Sequence, residues 1–211
     1  MKYSIDPRVW PGAAVLGGVT LVTAWLSPSF TGFAALVLAA HFLFFRDPQP
    51  LIPAGEAPVS PAEGKIVEVS FQPENRYLKE ECVKIGICLS LFNAHVNRSP
   101  IQGIVKYLEY APGKFMNALK QDSVPHNESN WIGLESGPKK RVLVRQMVGA
   151  IARRIFCDAA LETRLERGQK FGIICYGSRV EFFAPKTQFR PSIRIGEQVK
   201  AGQTVLGEWI S

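Results

Sequence analysis

The 211-residue sequence predicts a mainly β domain with minor helices, preceded by an N-terminal helical hairpin. Two long apolar runs without Lys, Arg, Asp or Glu occupy the N-terminus, and they predict the hairpin. Short apolar runs separated by turn residues follow Pro48, and they predict strands. The predicted boundaries are residues 1–47 for the hairpin and residues 48–211 for the β-rich domain, a length that suits one domain with an appendage.

The hairpin prediction is also a prediction of membrane association. The runs Val9 to Leu26 and Phe30 to Phe45 are 18 and 16 residues long, and Ser27-Pro28-Ser29 breaks the helix between them. A spanning helix needs about 20 apolar residues, so the pair predicts a hairpin that either crosses the bilayer or lies in one leaflet. Lys2, Arg8 and Arg46 flank the runs, which favours the cytoplasmic face of the cell membrane for both ends.

Two other interpretations of the apolar runs are weaker. A cleaved signal peptide is disfavoured because Asp6 and Pro7 precede the first run. Two helices buried in a soluble core would need a partner surface, and the rest of the chain offers little of one.

The net charge of +7 is concentrated in one stretch, since residues 139–170 hold nine Lys or Arg against three Asp or Glu. Such a stretch indicates an anionic partner, either nucleic acid or lipid head groups. The apolar hairpin favours the membrane surface, and no nucleic-acid motif is present in the sequence. The residues expected to attract head groups are Lys139 to Arg141, Arg153 and Arg154.

A metal centre is not expected, because the cysteines form no C-x-x-C pair and there are three histidines. Reduced thiols are expected for all four cysteines, which are Cys82, Cys88, Cys157 and Cys175.

Seven runs after Pro48 are predicted to be strands, and they are Lys65 to Phe71, Cys82 to Leu91, Gly103 to Tyr110, Arg141 to Ile151, Lys170 to Ile174, Arg179 to Phe183 and Thr204 to Ile210. Asp158 to Arg167 is predicted to be a short helix, and Gly113 to Leu119 fits no single state. The segments Ser60 to Val67 and Ile195 to Val205 look alike and are similar to the glycine corners of lipoyl-type, barrel-sandwich domains. The sequence therefore predicts a barrel-sandwich, lipoyl-like β domain, without the lysine-tipped hairpin of a carrier protein.

A Gly-Ser pair between two predicted strands is the most informative chemical feature. Gly177-Ser178 lies between the apolar runs 171–175 and 180–184, where it predicts a bend that carries a hydroxyl. Ser178 could attack a substrate, or it could attack its own preceding peptide bond and create a new chain terminus.

Two further residues could activate this serine. His95 ends an apolar run among Asn, Arg and Ser residues, and Glu63 lies in Ser60-Pro-Ala-Glu-Gly64. Serine needs a base, histidine can accept its proton, and a carboxylate orients the imidazole, so the three residues form a candidate Ser-His-carboxylate set. A structural histidine and a solvated turn glutamate are the alternatives.

Seven collinear blocks carry a family resemblance, and they are Phe44-Phe-Arg-Asp-Pro48, Ser60-Pro-Ala-Glu-Gly-Lys65, Asn93-Ala-His-Val-Asn-Arg-Ser-Pro100, Pro112-Gly-Lys-Phe-Met-Asn117, Asn127-Glu128, Gly149-Ala-Ile-Ala-Arg-Arg154 and Tyr176-Gly-Ser-Arg-Val180. With these blocks the chain resembles the short, pyruvoyl-dependent bacterial type of phosphatidylserine decarboxylase. Two positions depart from the usual family pattern. Glu63 stands where the family commonly has Asp, and Ser129 stands where it tends to have Arg.

The resemblance implies self-cleavage between Gly177 and Ser178. His95, oriented by Glu63, would act as the base, and Ser178 would become a pyruvoyl group, the cofactor. The products would be a β chain of residues 1–177 and an α chain of residues 178–211 that stay together as a heterodimer. The pyruvoyl group would form a Schiff base with the serine head group of phosphatidylserine, carbon dioxide would leave, and phosphatidylethanolamine would result. Phe92, Phe115 and Asn117 are the expected walls of the phospholipid pocket.

Two other functions remain open from the residues alone. A membrane-tethered, lipoyl-like adaptor would explain the hairpin and the corner segments but would leave Ser178 and His95 without a task. A Ser-His-Glu lipid hydrolase would use the same residues without self-cleavage, although the chain lacks a G-x-S-x-G elbow because position 180 is Val.

Overall fold

The computed structural model describes residues 3–117, 122, 124–150, 154–175 and 178–210. The chain separates into two compact units, Met1–Gln49 and Pro50–Ser211.

The N-terminal unit is a helical hairpin. Its helices are α1, Val9–Ala24, and α2, Pro28–Phe44, with proline in the first turn of α2, where a missing N–H costs nothing. His41 on α2 forms a hydrogen bond through Nε2 with the carbonyl of Val9, at 3.0 Å. Two short antiparallel strands, β1 (Tyr3–Ile5) and β2 (Arg46–Pro48), join the two ends of this unit.

The structure confirms two helices at the predicted runs and gives no support to a membrane crossing. The helices contain 16 and 17 residues. Over the part of the chain that the structure describes, no helix combines the length and the apolar character that a bilayer span requires.

The second unit contains thirteen strands among its described residues, and their bounds are β3 (Gly64–Glu74), β4 (Glu80–Cys88), β5 (Val96–Arg98), β6 (Gly103–Ala111), β7 (Ser129–Glu135), β8 (Arg141–Met147), β9 (Arg154–Cys157), β10 (Arg164–Leu165), β11 (Lys170–Cys175), β12 (Arg179–Pro185), β13 (Phe189–Pro191), β14 (Gln198–Val199) and β15 (Gly207–Trp209). The mainly β class is therefore confirmed, while the barrel-sandwich arrangement stays a prediction.

A curled antiparallel sheet of eight strands dominates this unit, in the order β10-β6-β7-β8-β12-β4-β3-β14. Both edge strands have only two residues, which limits the unpaired backbone exposed at the edges. A second sheet has the order β5-β11-β9, and β13 pairs with β15. The strand β12 lies inside the large sheet, between β8 and β4.

The large sheet buries two faces of different chemistry. Alternate residues of β12, such as Val180 and Phe182, join the main hydrophobic core with Ile85 of β4 and Val144 of β8. The intervening residues face the other way, where Phe183 packs with a smaller cluster that includes Trp131. Both faces of β12 are therefore buried, and the second face also carries the charged residues Arg179 and Glu181.

The two look-alike corner segments contact each other. The N–H of Ser60 donates to the carbonyl of Thr204 at 2.8 Å, and the N–H of Gly202 donates to the carbonyl of Ser60 at 2.8 Å. Gly196 and Gly202 adopt positive φ angles of 97° and 70°, as the corner prediction required.

The predicted helix at Asp158 to Arg167 is wrong. This segment instead forms turns and the short strand β10, which pairs with the edge of β6. Glu162 adopts a positive φ of 64°, which a helix does not accommodate, and its N–H donates to the carbonyl of Val105 at 2.8 Å. The strand β7 was not predicted, because its first residues, Ser129 and Asn130, are polar and continue the polar stretch before them.

Candidate active site

Ser178 lies where the chain passes from one sheet to the other. The strand β11 ends at Cys175 and pairs with β5 and β9, whereas β12 begins at Arg179 and pairs with β4 and β8. The connection is therefore a crossing between sheets and not a hairpin. The carbonyl of Ser178 accepts a hydrogen bond from the N–H of Leu89, at 2.9 Å. Tyr176 and the predicted cleavage residue Gly177 lie outside the described residues.

The Ser178 hydroxyl is buried and makes no hydrogen bond with the residues that the structure describes. Its residue is 1% exposed, and Oγ has no hydrogen-bond partner among the residues that the structure describes. A buried polar group without a partner costs free energy, of the order of 1–3 kcal/mol, so such groups in native proteins call for an explanation. A hydroxyl that makes no structural hydrogen bond is available as a nucleophile. The serine side chain that carries it could also be converted into a different chemical group at the same position.

His95 is adjacent to the strand that leads to Ser178. It is 0% exposed and immediately precedes β5. Its carbonyl accepts a hydrogen bond from the N–H of Ile174, four residues before Ser178, at 3.2 Å. A histidine excluded from solvent at this place suits a proton carrier between groups that are themselves buried.

Glu63 reaches the loop directly before His95. Its Oε1 accepts hydrogen bonds from Nδ2 of Asn93, at 3.2 Å, and from the N–H of Ala94, at 3.4 Å. The carboxylate thus holds the two residues that precede the histidine.

Gly64 connects the Glu63 segment to the strand beside Ser178. A Cβ atom on Gly64 would lie 2.2 Å from the carbonyl oxygen of Cys88, so only glycine permits β3 to approach β4 this closely. Cys88 in turn is the register partner of Arg179, the residue after Ser178. These backbone contacts bring the three predicted residues toward one end of the sheet, while their chemical roles stay predictions.

The nearby thiol is a poor competitor for Ser178. Burial raises the pKa of Cys88, and the charge of Arg179 only partly opposes that effect. The thiol therefore stays protonated at neutral pH, and the thiolate is the reactive form of cysteine.

The predicted pocket residues are exposed. Phe92 is 82% exposed, Phe115 is 43% exposed, and Asn117 is also exposed. The buried side chain of Asn127 holds the Phe115 loop, because it accepts a hydrogen bond from the N–H of Met116 and donates one to the carbonyl of Met116, at 2.9 and 2.8 Å. The roles of Phe92, Phe115 and Asn117 in a pocket stay predictions.

Two buried polar groups were not anticipated from the sequence. In the first, Asn130 Nδ2 donates to Gln146 at 3.1 Å, and Gln146 Nε2 donates to Asn97 at 2.7 Å. The second is a cluster of five charged residues on the face of the large sheet away from the main core, and its members are Glu68, Lys84, Arg145, Arg179 and Glu181. A charged residue inside an apolar strand, such as Lys84, is the sequence signal for such pairing, because lone buried charges are very costly.

Part of the predicted basic surface is engaged in ion pairs. Lys140 pairs with Glu56, and Arg141 pairs with Glu80 at 2.8 Å. Lys139 and Arg154 are exposed, and Arg153 lies outside the described residues.

Comparison with known sequences places these observations in a family. A family profile described as phosphatidylserine decarboxylase matches residues 38–207. The chain is similar to proteins named phosphatidylserine decarboxylase proenzyme from Geotalea uraniireducens (38% identity, covering 94% of this chain and 93% of the relative) and from Ralstonia pickettii (40% identity, 94% and 93%). A third, from Carboxydothermus hydrogenoformans, is 39% identical and covers 91% and 90% of the two chains. No solved structure matches the chain.

Proposed function

Since this chain belongs to the phosphatidylserine decarboxylase family, we propose that it converts phosphatidylserine to phosphatidylethanolamine with release of carbon dioxide. The observation that carries the proposal is the buried Ser178 hydroxyl, which has no partner among the described residues and lies at the head of a central strand.

The first reaction in the proposal is self-cleavage of the proenzyme. His95 removes the proton of Ser178, and Oγ attacks the carbonyl carbon of Gly177, so that the amide becomes an ester. Removal of the proton on Cα of residue 178 then breaks the bond between Oγ and Cβ, which releases residues 1–177 as a carboxylate and leaves dehydroalanine. Addition of water and loss of ammonia leave the pyruvoyl group. Glu63 fixes the loop that carries His95, through its contacts with Asn93 and Ala94.

The pyruvoyl group supplies a ketone conjugated with an amide, which accepts the electron pair that remains when carbon dioxide leaves. His95 is then assigned the return of a proton to the product carbon. Exclusion of water from a site as buried as Ser178 and His95 favours loss of the charged carboxylate as a neutral gas. We place the lipid head group beside Phe92, Phe115 and Asn117, whose side chains are exposed for contact.

The cleaved protein remains a heterodimer in this proposal. The strand β12 belongs to the α chain, and both of its neighbours, β4 and β8, belong to the β chain. Phe182 and Phe189 of the α chain are also buried in the main core. Loss of the α chain would open the sheet and expose these side chains to water, which opposes dissociation.

The N-terminal unit is proposed to bind the cytoplasmic face of the cell membrane without a requirement to cross it. Both helices expose large apolar side chains, and examples are Trp10, Leu21, Val22, Phe33 and Leu36. An exposed apolar surface of this kind favours insertion at the interface between lipid and water. Such binding would bring the active site to a substrate whose acyl chains hold it in the bilayer.

The test compares wild type, Ser178→Ala and the control Ser192→Ala, which changes an exposed serine of the same α segment. Intact-mass analysis should find fragments of residues 1–177 and 178–211 in wild type and Ser192→Ala, and one whole chain in Ser178→Ala. Carbon dioxide release from phosphatidylserine vesicles should occur only in the two cleaved proteins. An adaptor or a hydrolase would remain one intact chain in all three cases. Full decarboxylation by uncleaved Ser178→Ala would refute the proposal.

A further inference from the structure

The ion cluster on the non-core face of the sheet surrounds the residue that follows Ser178. Its five members lie on four adjacent strands, with Glu68 on β3, Lys84 on β4, Arg179 and Glu181 on β12, and Arg145 on β8. Glu181 contacts all three cations, with Nζ of Lys84 at 2.9 Å, Nη1 of Arg145 at 3.3 Å and Nη2 of Arg179 at 3.0 Å. The cluster therefore ties together the strands on both sides of β12.

Arg179 is the central and least exposed cation of the cluster. Its side chain is 2% exposed, its Nε donates to Glu181 Oε1 at 3.0 Å, and its Nη2 donates to Glu68. The planar guanidinium thereby joins two carboxylates on different strands, a geometry that a lysine ammonium does not reproduce.

A glycine leaves the space that this guanidinium occupies. A Cβ atom on Gly86 of β4 would lie 2.6 Å from Nη2 of Arg179 and 3.0 Å from its Cζ. Gly86 is the register partner of both Glu68 and Glu181. The sheet is therefore shaped to hold the arginine in one place between its two carboxylates.

Stability alone is a weak reason for such a cluster. Buried ion pairs are often no more stabilising than apolar side chains of the same volume, because both charges lose their hydration. What they do supply is direction, since each hydrogen bond fixes an atom in space. The Ser178 side chain has no hydrogen bond of its own among the described residues, so its orientation depends on the backbone, which is held by the Leu89 hydrogen bond on one side and by the residues of β12 on the other.

We propose that Arg179 is a positioning residue for self-cleavage, which fixes the first residue of β12 and thereby directs Ser178 Oγ at the preceding carbonyl. This inference rests on the proposed function, because it concerns the same bond. A displacement of about 1 Å in a reacting group can reduce a rate by about 100-fold, so loss of the guanidinium contacts should slow cleavage by a factor of that order.

Three variants separate geometry from charge. Arg179→Met removes the guanidinium and leaves two cations, Lys84 and Arg145, with two carboxylates, so no net charge is stranded. Gly86→Ala keeps every charge and displaces the guanidinium. Arg179→Lys keeps the positive charge and loses the planar guanidinium that donates to both carboxylates. The control is Lys106→Met, which removes from β6 the cation of an exposed ion pair with Glu162, on a strand that β7 and β8 separate from β12.

The rate of cleavage is followed on denaturing gels after synthesis of the proenzyme. We expect about 100-fold slower cleavage in Arg179→Met, a comparable loss in Gly86→Ala, partial rescue in Arg179→Lys, and an unchanged rate in Lys106→Met. Hydroxylamine, which cleaves esters readily and amides slowly, should release fragments faster from wild type and Lys106→Met than from Arg179→Met, because the arginine is needed to form the ester. A purely structural role would leave the ester yield per folded molecule unchanged.

The fraction of folded protein is measured for each variant by urea unfolding in the Ser178→Ala background. Cleavage of folded Arg179→Met and Gly86→Ala within threefold of wild type would overturn the positioning role and leave the proposed function intact. A loss that matches the unfolded fraction would overturn it as well. If Arg179→Met does not fold, Gly86→Ala and Arg179→Lys decide the question on the same criterion. Absence of cleavage in wild type would refute the proposed function itself.

Discussion

The two faces of β12 are equally buried and are built from opposite chemistry. On one face Val180, Phe182 and Ala184 are fully buried and join the main core. On the other face Arg179 and Glu181 are 2% and 1% exposed and carry charge. The apolar face gains free energy from burial in proportion to area and has little directional preference. The charged face contributes less free energy of folding, because its charges lose their hydration on burial. It fixes the positions of its side chains more strictly, because its contacts are directional hydrogen bonds between particular atoms.

If the protein cuts its own chain as proposed, this difference gives the two faces different tasks. The apolar face can hold the α chain in place after the backbone is broken, since its contribution does not depend on chain continuity. The charged face begins one residue after Ser178, where orientation would matter for the proposed self-cleavage. Stability and alignment can then be disturbed separately.

The largest effect on stability is expected from the apolar face. Phe182→Ala removes a buried ring that packs edge to face on Phe189 at 5.4 Å, and it should lower the free energy of unfolding by about 3–5 kcal/mol. Urea unfolding in the Ser178→Ala background measures it on an unbroken chain. Phe71→Ala is the control, since Phe71 is 58% exposed, and it should cost about 1 kcal/mol or less. Equal losses from the two variants would contradict the assignment of the core to this face.

A smaller effect is expected from neutralising the charged face. Glu181→Gln preserves shape but leaves Lys84, Arg145 and Arg179 with the single carboxylate of Glu68, and stranding buried charge costs about 3 kcal/mol. Adding Arg179→Met to Glu181→Gln should recover part of that loss, because one of the stranded cations is removed. The same urea measurement gives the coupling between the two residues from a double-mutant cycle.

The control for this prediction is Glu80→Gln, which removes the carboxylate partner of Arg141, where both side chains are more than a quarter exposed. Exposed pairs contribute about 0–1 kcal/mol, so Glu80→Gln should lie near wild type. If Glu181→Gln cost no more than this control, the charged face would not be desolvated as its burial indicates.

The sequence predicted the apolar face of β12 and did not predict the charged one. The run from Arg179 to Phe183 indicates a strand, and its apolar members identify a core face. Partners such as Glu68 and Arg145 are separated from Arg179 by 111 and 34 positions, and only the strand order brings them together. The same limit applies to Glu63 and His95, whose chemical types and neighbouring residues made them candidates while their spacing carried no geometry. The false helix at Asp158 to Arg167 has a related cause, since pairing with β6 overrides local helix propensity.

The smallest expected effect is a pH dependence of the unfolding free energy that comes from Glu68. Burial raises the pKa of this carboxyl, but the hydrogen bond from Ser70 and the charges of Lys84 and Arg179 together lower it below its ordinary value of about 4.5. A carboxyl with a lowered pKa in the folded state stabilises the protein above its ordinary pKa, and that contribution is lost as the pH falls through the folded value. The difference in unfolding free energy between wild type and Glu68→Gln, both in the Ser178→Ala background, should therefore be constant near pH 7 and should shrink as the pH falls below about 4.5. A difference that grew on acidification would mean that desolvation, and not the cations, controls this carboxyl, and the charged face would then be a net cost to folding at neutral pH.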